Sequence, residues 1–195
     1  IYSLKAKGII EDFRILDNAS EHSINYQFWD YDGNPNGSIK IEALAANPDS
    51  QDSFNCNIAI ADEIHAFKKA AQYNRFKEAG KAYTNKLAAI ITTAGDDGTG
   101  FAATHRDYME RILRGTVTGP AADRTFVFLA QAPMQPDGSI DYLNPAVHRA
   151  ANPAYGITIR PEDMLANAQQ AEHRPATRKE FFTRSLNRFV GSYKA

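Results

Sequence analysis

The sequence predicts an α/β protein with a mainly parallel sheet and a small helical appendage at its carboxyl end. Two short apolar runs without polar alternation, residues 58–61 and 87–91, are typical of strands covered on both faces, as in a parallel sheet. A third apolar run, residues 125–129, follows, and stretches of helical spacing separate the three. The order strand, helix, strand, helix, strand predicts right-handed crossovers between parallel strands.

The spacing of apolar side chains predicts the two intervening helices. From Tyr73 to Leu87 such side chains recur three and four residues apart, which indicates one buried helical face. A second face runs from Phe101 to Ile112, and Gly115 provides a stop signal. Both helices therefore fit the crossover positions of the predicted sheet.

The first forty residues have a different pattern. Residues 1–16 place apolar side chains at mixed helical spacings and predict a helix. Residues 24–29 and 39–43 predict strands, and the dense turn signal of residues 32–37 lies between them. We therefore expect a hairpin-like excursion before the parallel sheet.

Prolines and glycines interrupt the chain after about residue 132. Pro161 and the two acids after it form a favourable helix start, because proline suits the first turn and acids complement the helix dipole. We predict two helices, residues 161–172 and roughly 176–190, split at Pro175. The resulting domain prediction is a sheet core over residues 1–132 and a helical region over residues 133–195.

Composition is ordinary for a globular protein, with 43% hydrophobic and 23% charged residues, so it predicts a packed core. A net charge of −1 gives no strong overall attraction to nucleic acid or anionic membranes. Cys56 is the single cysteine, which excludes an internal disulfide and a four-cysteine zinc site. The chain has neither a secretory signal nor an apolar run long enough to span a bilayer, so we expect a cytoplasmic protein. It does not begin with methionine, and we expect it to be cut from a longer protein.

Two acids, Asp62 and Glu63, follow the first buried run. Ligands of open parallel sheets bind just beyond this edge of the strands. Phosphoryl-transfer enzymes need a carboxylate there to hold Mg²⁺, and hydrolytic ones need a second group that positions water. Two acids after an apolar run are also common where a strand simply meets a solvated loop. This feature alone therefore leaves open both a nucleotide site and a solvated strand end.

Hydroxyl side chains follow the next run, at Thr92 and Thr93, before Ala94 and Gly95. At a neighbouring strand tip they can hydrogen-bond the acids or an attacking water. The other interpretation is a simple strand-to-helix turn, in which threonine caps and glycine permits the bend. Both features on consecutive strand ends favour a nucleotide site.

Four segments in order resemble motifs of the large subunit of tailed-phage terminases. Residues 58–65 (Ile-Ala-Ile-Ala-Asp-Glu-Ile-His) resemble its Walker B motif, and residues 90–95 (Ile-Ile-Thr-Thr-Ala-Gly) resemble its coupling motif. Residues 151–156 (Ala-Asn-Pro-Ala-Tyr-Gly) resemble its NP-x-x-G segment, and residues 181–189 resemble its F…LN segment. The resemblance extends over most of residues 40–190, and the first forty residues match only loosely.

The resemblance implies a P-loop NTPase sheet and an ATPase that drives double-stranded DNA into a capsid. It implies that Asp62 helps to hold Mg²⁺, that Glu63 activates water, and that Asp62 and Glu63 together face the nucleotide. Thr92 and Thr93 would couple hydrolysis to movement. The implied cofactors are ATP and Mg²⁺. The implied partners are double-stranded DNA, the terminase small subunit, the portal and further copies in a ring.

A phosphate loop is missing from the sequence. The single Gly-Lys pair, Gly80-Lys81, has Arg75 at the first glycine position of that motif and Ala82 in place of its hydroxyl residue. In the family the loop precedes the Walker B motif, and the nuclease carboxylates follow the F…LN segment. We therefore expect an incomplete ATPase core that binds nucleotide weakly and a linker that precedes an absent nuclease.

Two other functions stay open on the sequence. Asp-Glu-Ile-His at residues 62–65 also resembles the DExH box of helicases, and Thr-Thr-Ala can stand for their Ser-Ala-Thr motif. The chain can also be a non-catalytic prophage remnant or interaction module. His65, beside the acids, is interpreted as a hydrogen-bonded structural histidine rather than a catalytic one.

Basic side chains give two further candidates. One of Arg106, Arg111 and Arg114 can act as an arginine finger, although a solvated helix face with an Asp107–Arg111 pair is the simpler interpretation. Residues 174–194 carry six Lys or Arg against one acid, Glu180. This excess can face DNA, but a surface helix or a helix packed on acidic neighbours is the favoured interpretation.

Overall fold

A computed structural model describes residues 13–19, 21–44, 55–189 and 191. The chain divides into two compact units, with the boundary between Asn47 and Pro48. The predicted boundary at residues 132/133 remains a prediction. The architecture of the described residues is a mixture of helices and strands with one small parallel sheet, as predicted.

The first unit holds a three-stranded antiparallel sheet of β1 (Phe13–Asp17), β2 (His22–Trp29) and β3 (Pro35–Ala43), in that order. Strands β2 and β3 confirm the predicted hairpin. Gly33 and Gly37 take positive φ angles of 79° and 100° in and just after its turn, a conformation that glycine adopts without a steric penalty.

The helix predicted over residues 1–16 is wrong where the structure describes it, and residues 1–12 lie outside the described residues. Residues 13–16 belong to β1, in which Phe13 pairs with Tyr26 and Ile15 pairs with Ile24. The Phe13 and Tyr26 rings pack with centroids 4.7 Å apart. Cross-strand packing of this kind outweighs the weak helical spacing of the local sequence.

The second unit contains the parallel pair that the apolar runs predict. Strand β4 (Ile58–Asp62) pairs with β5 (Leu87–Ile91), and the register sets Asp62 opposite Ile91. Helix α1 (Ala70–Ala79) lies in the crossover between them. The helical face predicted from Tyr73 onwards extends too far, because the helix ends before Gly80, a poor helix former. Leu87 begins β5, as the sequence predicts, and donates its N–H to Asn57 O at 2.8 Å.

Helix α2 (Phe101–Leu113) confirms the second predicted helix, but it does not cross over to a third parallel strand among the described residues. Gly115 takes a left-handed φ of 69° directly after it, as the sequence predicts for a helix stop. The short helix α3 (Pro120–Asp123) follows.

The third predicted strand, residues 125–129, is wrong for the part of the chain that the structure describes. This segment has no strand structure, and Phe126 and Phe128 are 91% and 71% exposed. A strand needs a neighbour that accepts and donates its backbone hydrogen bonds. The parallel sheet of the described residues has only β4 and β5, and neither pairs with this segment.

The carboxyl-terminal region is helical, with α4 (Pro145–Ala151), α5 (Pro161–His173) and α6 (Pro175–Glu180). Helix α5 and the break at Pro175 confirm the prediction. The last predicted helix, roughly residues 176–190, is too long, because α6 continues only through a π-helical turn, Phe181–Ser185. Asn187 then takes a left-handed φ of 52°, which ends the helical path.

Two hydrophobic clusters stabilise the second unit. The larger one joins helices α4, α5 and the π-helical turn to the loop before them, through Ala132, Ile140, Val147, Ala151, Met164, Ala168, Ala171, Phe181, Phe182 and Leu186. The smaller one packs α2 against the end of β4 and the segment after β5, through Ala61, Ile64, Ala94, Ala102, Ala103 and Phe189. Through Phe189, the segment after the π-helical turn therefore packs close to the carboxyl ends of β4 and β5.

Among the described residues, none of the helices combines the length and apolarity that crossing a bilayer requires.

Candidate functional site

The carboxyl ends of β4 and β5 form one edge, and Asp62 stands on it as the last residue of β4. Its side chain is exposed and forms no hydrogen bond or ion pair with the residues that the structure describes. An exposed carboxylate without a protein partner keeps its oxygen atoms available for a cation or for water. This is the position that the sequence predicts for a Mg²⁺-holding acid.

Glu63 changes the direction of the chain at this edge. Its backbone is left-handed, with φ 52° and ψ 50°, a conformation that costs a non-glycine residue about 1–3 kcal/mol. Two hydrogen bonds hold this backbone conformation. The Glu63 N–H donates to Ile91 O at 2.8 Å, and the Glu63 carbonyl accepts from the Ala66 N–H at 2.9 Å. Strain that neighbouring contacts maintain is typical of functional sites.

This turn directs the Glu63 carboxylate towards the tip of β5. The Thr93 hydroxyl donates to Glu63 Oε2 at 3.5 Å, at the outer limit of a hydrogen bond. Thr92 lies beside it and donates its hydroxyl to Thr93 O at 2.9 Å. The structure thus places Glu63, Thr92 and Thr93 together, with Asp62 on the same edge, while the roles predicted for these residues remain predictions.

His65 has a more central place than the sequence indicated. Its Nδ1 atom lies 2.7 Å from Glu63 Oε2 and 3.2 Å from Thr92 Oγ1, and its backbone N–H donates to Thr92 Oγ1 at 3.3 Å. The sequence signal was its spacing of two residues from Glu63, but the left-handed turn that brings the two side chains together is not readable from that spacing.

Gly95 permits the approach of this histidine to β5. Gly95 is buried, and a Cβ atom added to it would lie 2.8 Å from His65 Cβ. Such a distance is below van der Waals contact, and neither atom is the flexible end of a side chain. The glycine of the coupling-like segment therefore has a packing role against the residue after the acids.

We expect Gly95→Ala to displace His65 and to lower the free energy of unfolding by about 1–3 kcal/mol, as overpacking does. The matched control is Gly80→Ala, where an added Cβ would lie 3.4 Å from Lys86 Cδ and 3.7 Å from Lys86 Cβ and Cys56 O, which are ordinary contacts, and the φ of −81° suits alanine. Urea unfolding followed by circular dichroism measures both. Equal midpoints for the two variants would contradict the packing role.

The loop after the threonines is built by its own polar groups. Asp97 accepts hydrogen bonds at 2.9 Å from the Thr99 N–H and from the Thr99 hydroxyl. These bonds hold the pKa of the Asp97 carboxyl below its ordinary value. Asp96 pairs with Lys179 of α6 at 3.2 Å, which connects the loop to the carboxyl-terminal helices. Both side chains of that pair are at least half exposed, so it adds little stability.

The two later motifs contact each other. Asn152 donates to Ser185 O at 2.8 Å and to His148 O at 2.9 Å, and Asn187 donates to Ala151 O at 3.3 Å. These amides link the segment before α5 to the π-helical turn after α6. The structure therefore gives both asparagines a role in holding the carboxyl-terminal region together.

The arginines of α2 form a network around Glu110. Arg106 lies 2.6 Å from Glu110 and 3.0 Å from Asp107, and Arg114 lies 2.7 Å from Glu110. The predicted Asp107–Arg111 pair is wrong, because Arg106 takes Asp107 and Arg111 has no ion pair among the described residues. Arginine contacts lower the pKa of Glu110, with the Arg114 hydrogen bond as the largest cause.

Most of the basic excess near the carboxyl end is engaged within the chain. Lys179 pairs with Asp96, Arg184 with Glu180 at 3.5 Å, and Arg178 donates to Ala171 O at 3.0 Å. Buried Arg188 donates to Ala132 O, and burial lowers its pKa. These contacts support the interpretation of packed helices rather than a DNA-facing surface. Among the described residues, no group of three or more His, Cys, Asp or Glu side chains is placed to hold a metal ion by itself.

Comparison with known proteins connects this site to a family. Residues 34–111 match the family described as terminase large subunit, ATPase domain, and they include both strand ends of the site. These residues of the chain are similar to terminase large subunits. The match includes residues 58–65 and 90–95 and agrees with the family that these two motifs resemble. It does not describe a helicase.

Two relatives extend the comparison beyond the matched segment. The chain is 26% identical over 144 residues to Protein YmfN of Escherichia coli (strain K12), which covers 74% of this chain and 30% of that protein. Its fold is similar to the large terminase of bacteriophage HK97, with a TM-score of 0.67, 18% identity and 94% of this chain covered. The alignment covers 34% of that terminase chain. The chain thus spans about a third of the length of both relatives.

Proposed function

We propose that this chain supplies the acidic and coupling side of an ATPase site of P-loop NTPase type in a phage DNA-packaging motor. The observation that carries the proposal is the contact between the two strand ends, in which Thr93 Oγ1 lies 3.5 Å from Glu63 Oε2. It joins the segment that resembles a Walker B motif to the segment that resembles a coupling motif. The terminase family match over residues 34–111 supports the same function.

Asp62 fits a magnesium ligand. Mg²⁺ binds through carboxylates, retained waters and substrate phosphates, and Asp62 offers an exposed carboxylate at the strand end that has no partner among the residues the structure describes. A Mg²⁺ ion bound with ATP would neutralise charge on the phosphates. The protein contributes the position of the ligand, which β4 fixes by pairing with β5 in parallel register.

Glu63 supplies the group that activates water, and Thr92 and Thr93 supply hydroxyls that couple hydrolysis to movement. A carboxylate at Glu63 can accept a proton from an attacking water, which is the role of a general base. Thr93 contacts the same carboxylate, and Thr92 contacts His65, so a shift of Glu63 during hydrolysis changes hydrogen bonds at the tip of β5. That tip continues into the Asp96–Lys179 pair and α6. Hydrolysis would in this way reach the carboxyl-terminal helices.

The proposed motor needs parts that the 195-residue sequence does not contain, namely the phosphate loop and the nuclease carboxylates. We accordingly propose that ATP and Mg²⁺ bind tightly only to the complete polypeptide as encoded in its reading frame. The partners proposed for it are double-stranded DNA, a terminase small subunit, a portal and other copies in a ring, in the cytoplasm of the bacterial host.

The magnesium role of Asp62 gives a direct test of the proposal. We expect Asp62→Asn in the complete polypeptide to raise the Mg²⁺ concentration for half-maximal ATP hydrolysis about 10-fold or more. The matched control is Asp123→Asn on exposed α3, with unchanged Mg²⁺ dependence. A titration of Mg²⁺ at saturating ATP measures both. Identical curves for wild type and Asp62→Asn would contradict the assignment of the metal to Asp62.

A further inference from the structure

We propose that His65 is a positioning residue that fixes the Glu63 carboxylate for the attack of water, a role that rests on the proposed ATPase function. The closest side-chain contact of Glu63 in the site is Nδ1 of His65, 2.7 Å from Oε2. Thr93 reaches the same oxygen at 3.5 Å, so the histidine is the stronger constraint. Both contacts are made by Oε2.

The hydrogen-bond network decides which nitrogen of His65 carries the proton. The Thr92 hydroxyl gives its hydrogen to Thr93 O at 2.9 Å, so its oxygen faces His65 as an acceptor. It accepts from the backbone N–H of His65 at 3.3 Å, and Nδ1 lies 3.2 Å away. The Glu63 carboxylate also only accepts. Nδ1 therefore carries a hydrogen shared between Glu63 Oε2 and Thr92 Oγ1.

The backbone around the histidine is fixed on both sides. Ile64, 1% exposed, anchors the turn in the smaller hydrophobic cluster, and buried Gly95 lies against His65 Cβ and the ring. The ring thus has little freedom to rotate away from Glu63. A held histidine can hold a carboxylate, whereas a freely rotating one cannot.

The contact between His65 and Glu63 is expected to affect the rate of hydrolysis much more than the stability of the fold. The side chains of His65 and Glu63 are 31% and 51% exposed, and a polar pair this exposed contributes about 0–1 kcal/mol to stability. A displacement of about 1 Å in a reacting group can lower a rate about 100-fold. The contact therefore matters far more to turnover than to folding.

The test is steady-state ATP hydrolysis by the complete polypeptide. We expect His65→Ala to lower kcat about 10- to 100-fold, because Glu63 is no longer held, with KM for ATP and the thermal midpoint unchanged. His65→Asn places an N–H donor close to the position of Nδ1 and should recover most of the lost turnover. His65→Gln places its amide nearer to the position of Nε2 and should not. His173→Ala, at the exposed end of α5, is the matched control and should match wild type.

Glu63→Gln separates the two proposals. If Glu63→Gln turns over like wild type, the proposed function is wrong. If Glu63→Gln is slow and His65→Ala is not, only the positioning role is wrong. In a Glu63→Gln background, His65→Ala should lower turnover by less than about 2-fold further, since both changes affect one step. A raised KM with no recovery by asparagine would also overturn the positioning role.

A spectroscopic measurement tests the contact without reference to turnover. In imidazole ¹⁵N spectra, Nδ1 of His65 should carry a proton, with the signals assigned by their loss in His65→Asn. Glu63→Gln should shift the Nδ1 resonance. An Nε2-protonated His65 with a bare Nδ1 would overturn the proposal.

Discussion

Glu63→Gln is expected to lower ATP turnover by the complete polypeptide about 100- to 10,000-fold, the contribution of a positioned general base. Glutamine keeps the length of the side chain and can still meet His65 and Thr93, so the fold of the strand edge should persist. It cannot accept a proton from water at neutral pH. The loss should therefore fall on kcat, while affinity for Mg²⁺ and ATP changes little.

Single-turnover hydrolysis and equilibrium binding of a fluorescent ATP analogue measure the two effects separately. Glu172→Gln, on the exposed surface of α5, is the matched control and should retain full turnover. Equal rates for wild type and Glu63→Gln would end the catalytic assignment. The non-catalytic remnant would then be the better description of this chain.

Phe182→Ala is expected to lower the free energy of unfolding by about 3–5 kcal/mol, the largest effect of a single side chain in the carboxyl-terminal region. Phe182 is 1% exposed in the larger hydrophobic cluster, and its ring packs edge-on against Tyr142 with centroids 5.2 Å apart. Alanine would leave a cavity because α5 and the π-helical turn cannot both move inward. Domains are stabilised by only about 5–15 kcal/mol, so this change should nearly unfold the region.

Phe126→Ala is the matched control, since Phe126 is 91% exposed and outside both hydrophobic clusters. Its removal should change the unfolding free energy by no more than about 0.5 kcal/mol. Urea unfolding monitored by circular dichroism and by near-ultraviolet signals measures both variants. A similar loss for the two variants would contradict the assignment of the core to the larger cluster.

The two apolar runs became β4 and β5, which pair in parallel as predicted, but the expectation that both faces are covered was wrong. In β4, Ala59 and Ala61 are buried, whereas Ile58 and Ile60 are 56% and 62% exposed. Residues 125–129 have the same composition but no partner strand among the described residues, so composition alone predicted a strand that the fold does not form. The first helix prediction was wrong at Phe13 and Ile15 because the residues that pair with them come later in the chain.

The candidate site was predictable in its acids and hydroxyls and not in its geometry. Asp62 ends β4, Glu63 follows it, and Thr92 and Thr93 follow β5, and parallel strands bring such ends to one edge. The left-handed backbone of Glu63 depends on its bond to Ile91 O, which no local pattern encodes. The place of His65 follows from that turn. The sequence spacing also did not predict that Asp107 pairs with Arg106 rather than Arg111. Arg106 contacts both Asp107 and Glu110.

The most direct test of the central claim is a structure of the complete polypeptide with Mg²⁺ and a non-hydrolysable ATP analogue. The proposed function predicts the terminal phosphate at the carboxyl edge of β4 and β5, with the Asp62 carboxylate on the Mg²⁺ side. It predicts a water within hydrogen-bond reach of Glu63, about 2.6–3.2 Å. A nucleotide bound away from this edge, with Glu63 facing bulk solvent, would contradict it.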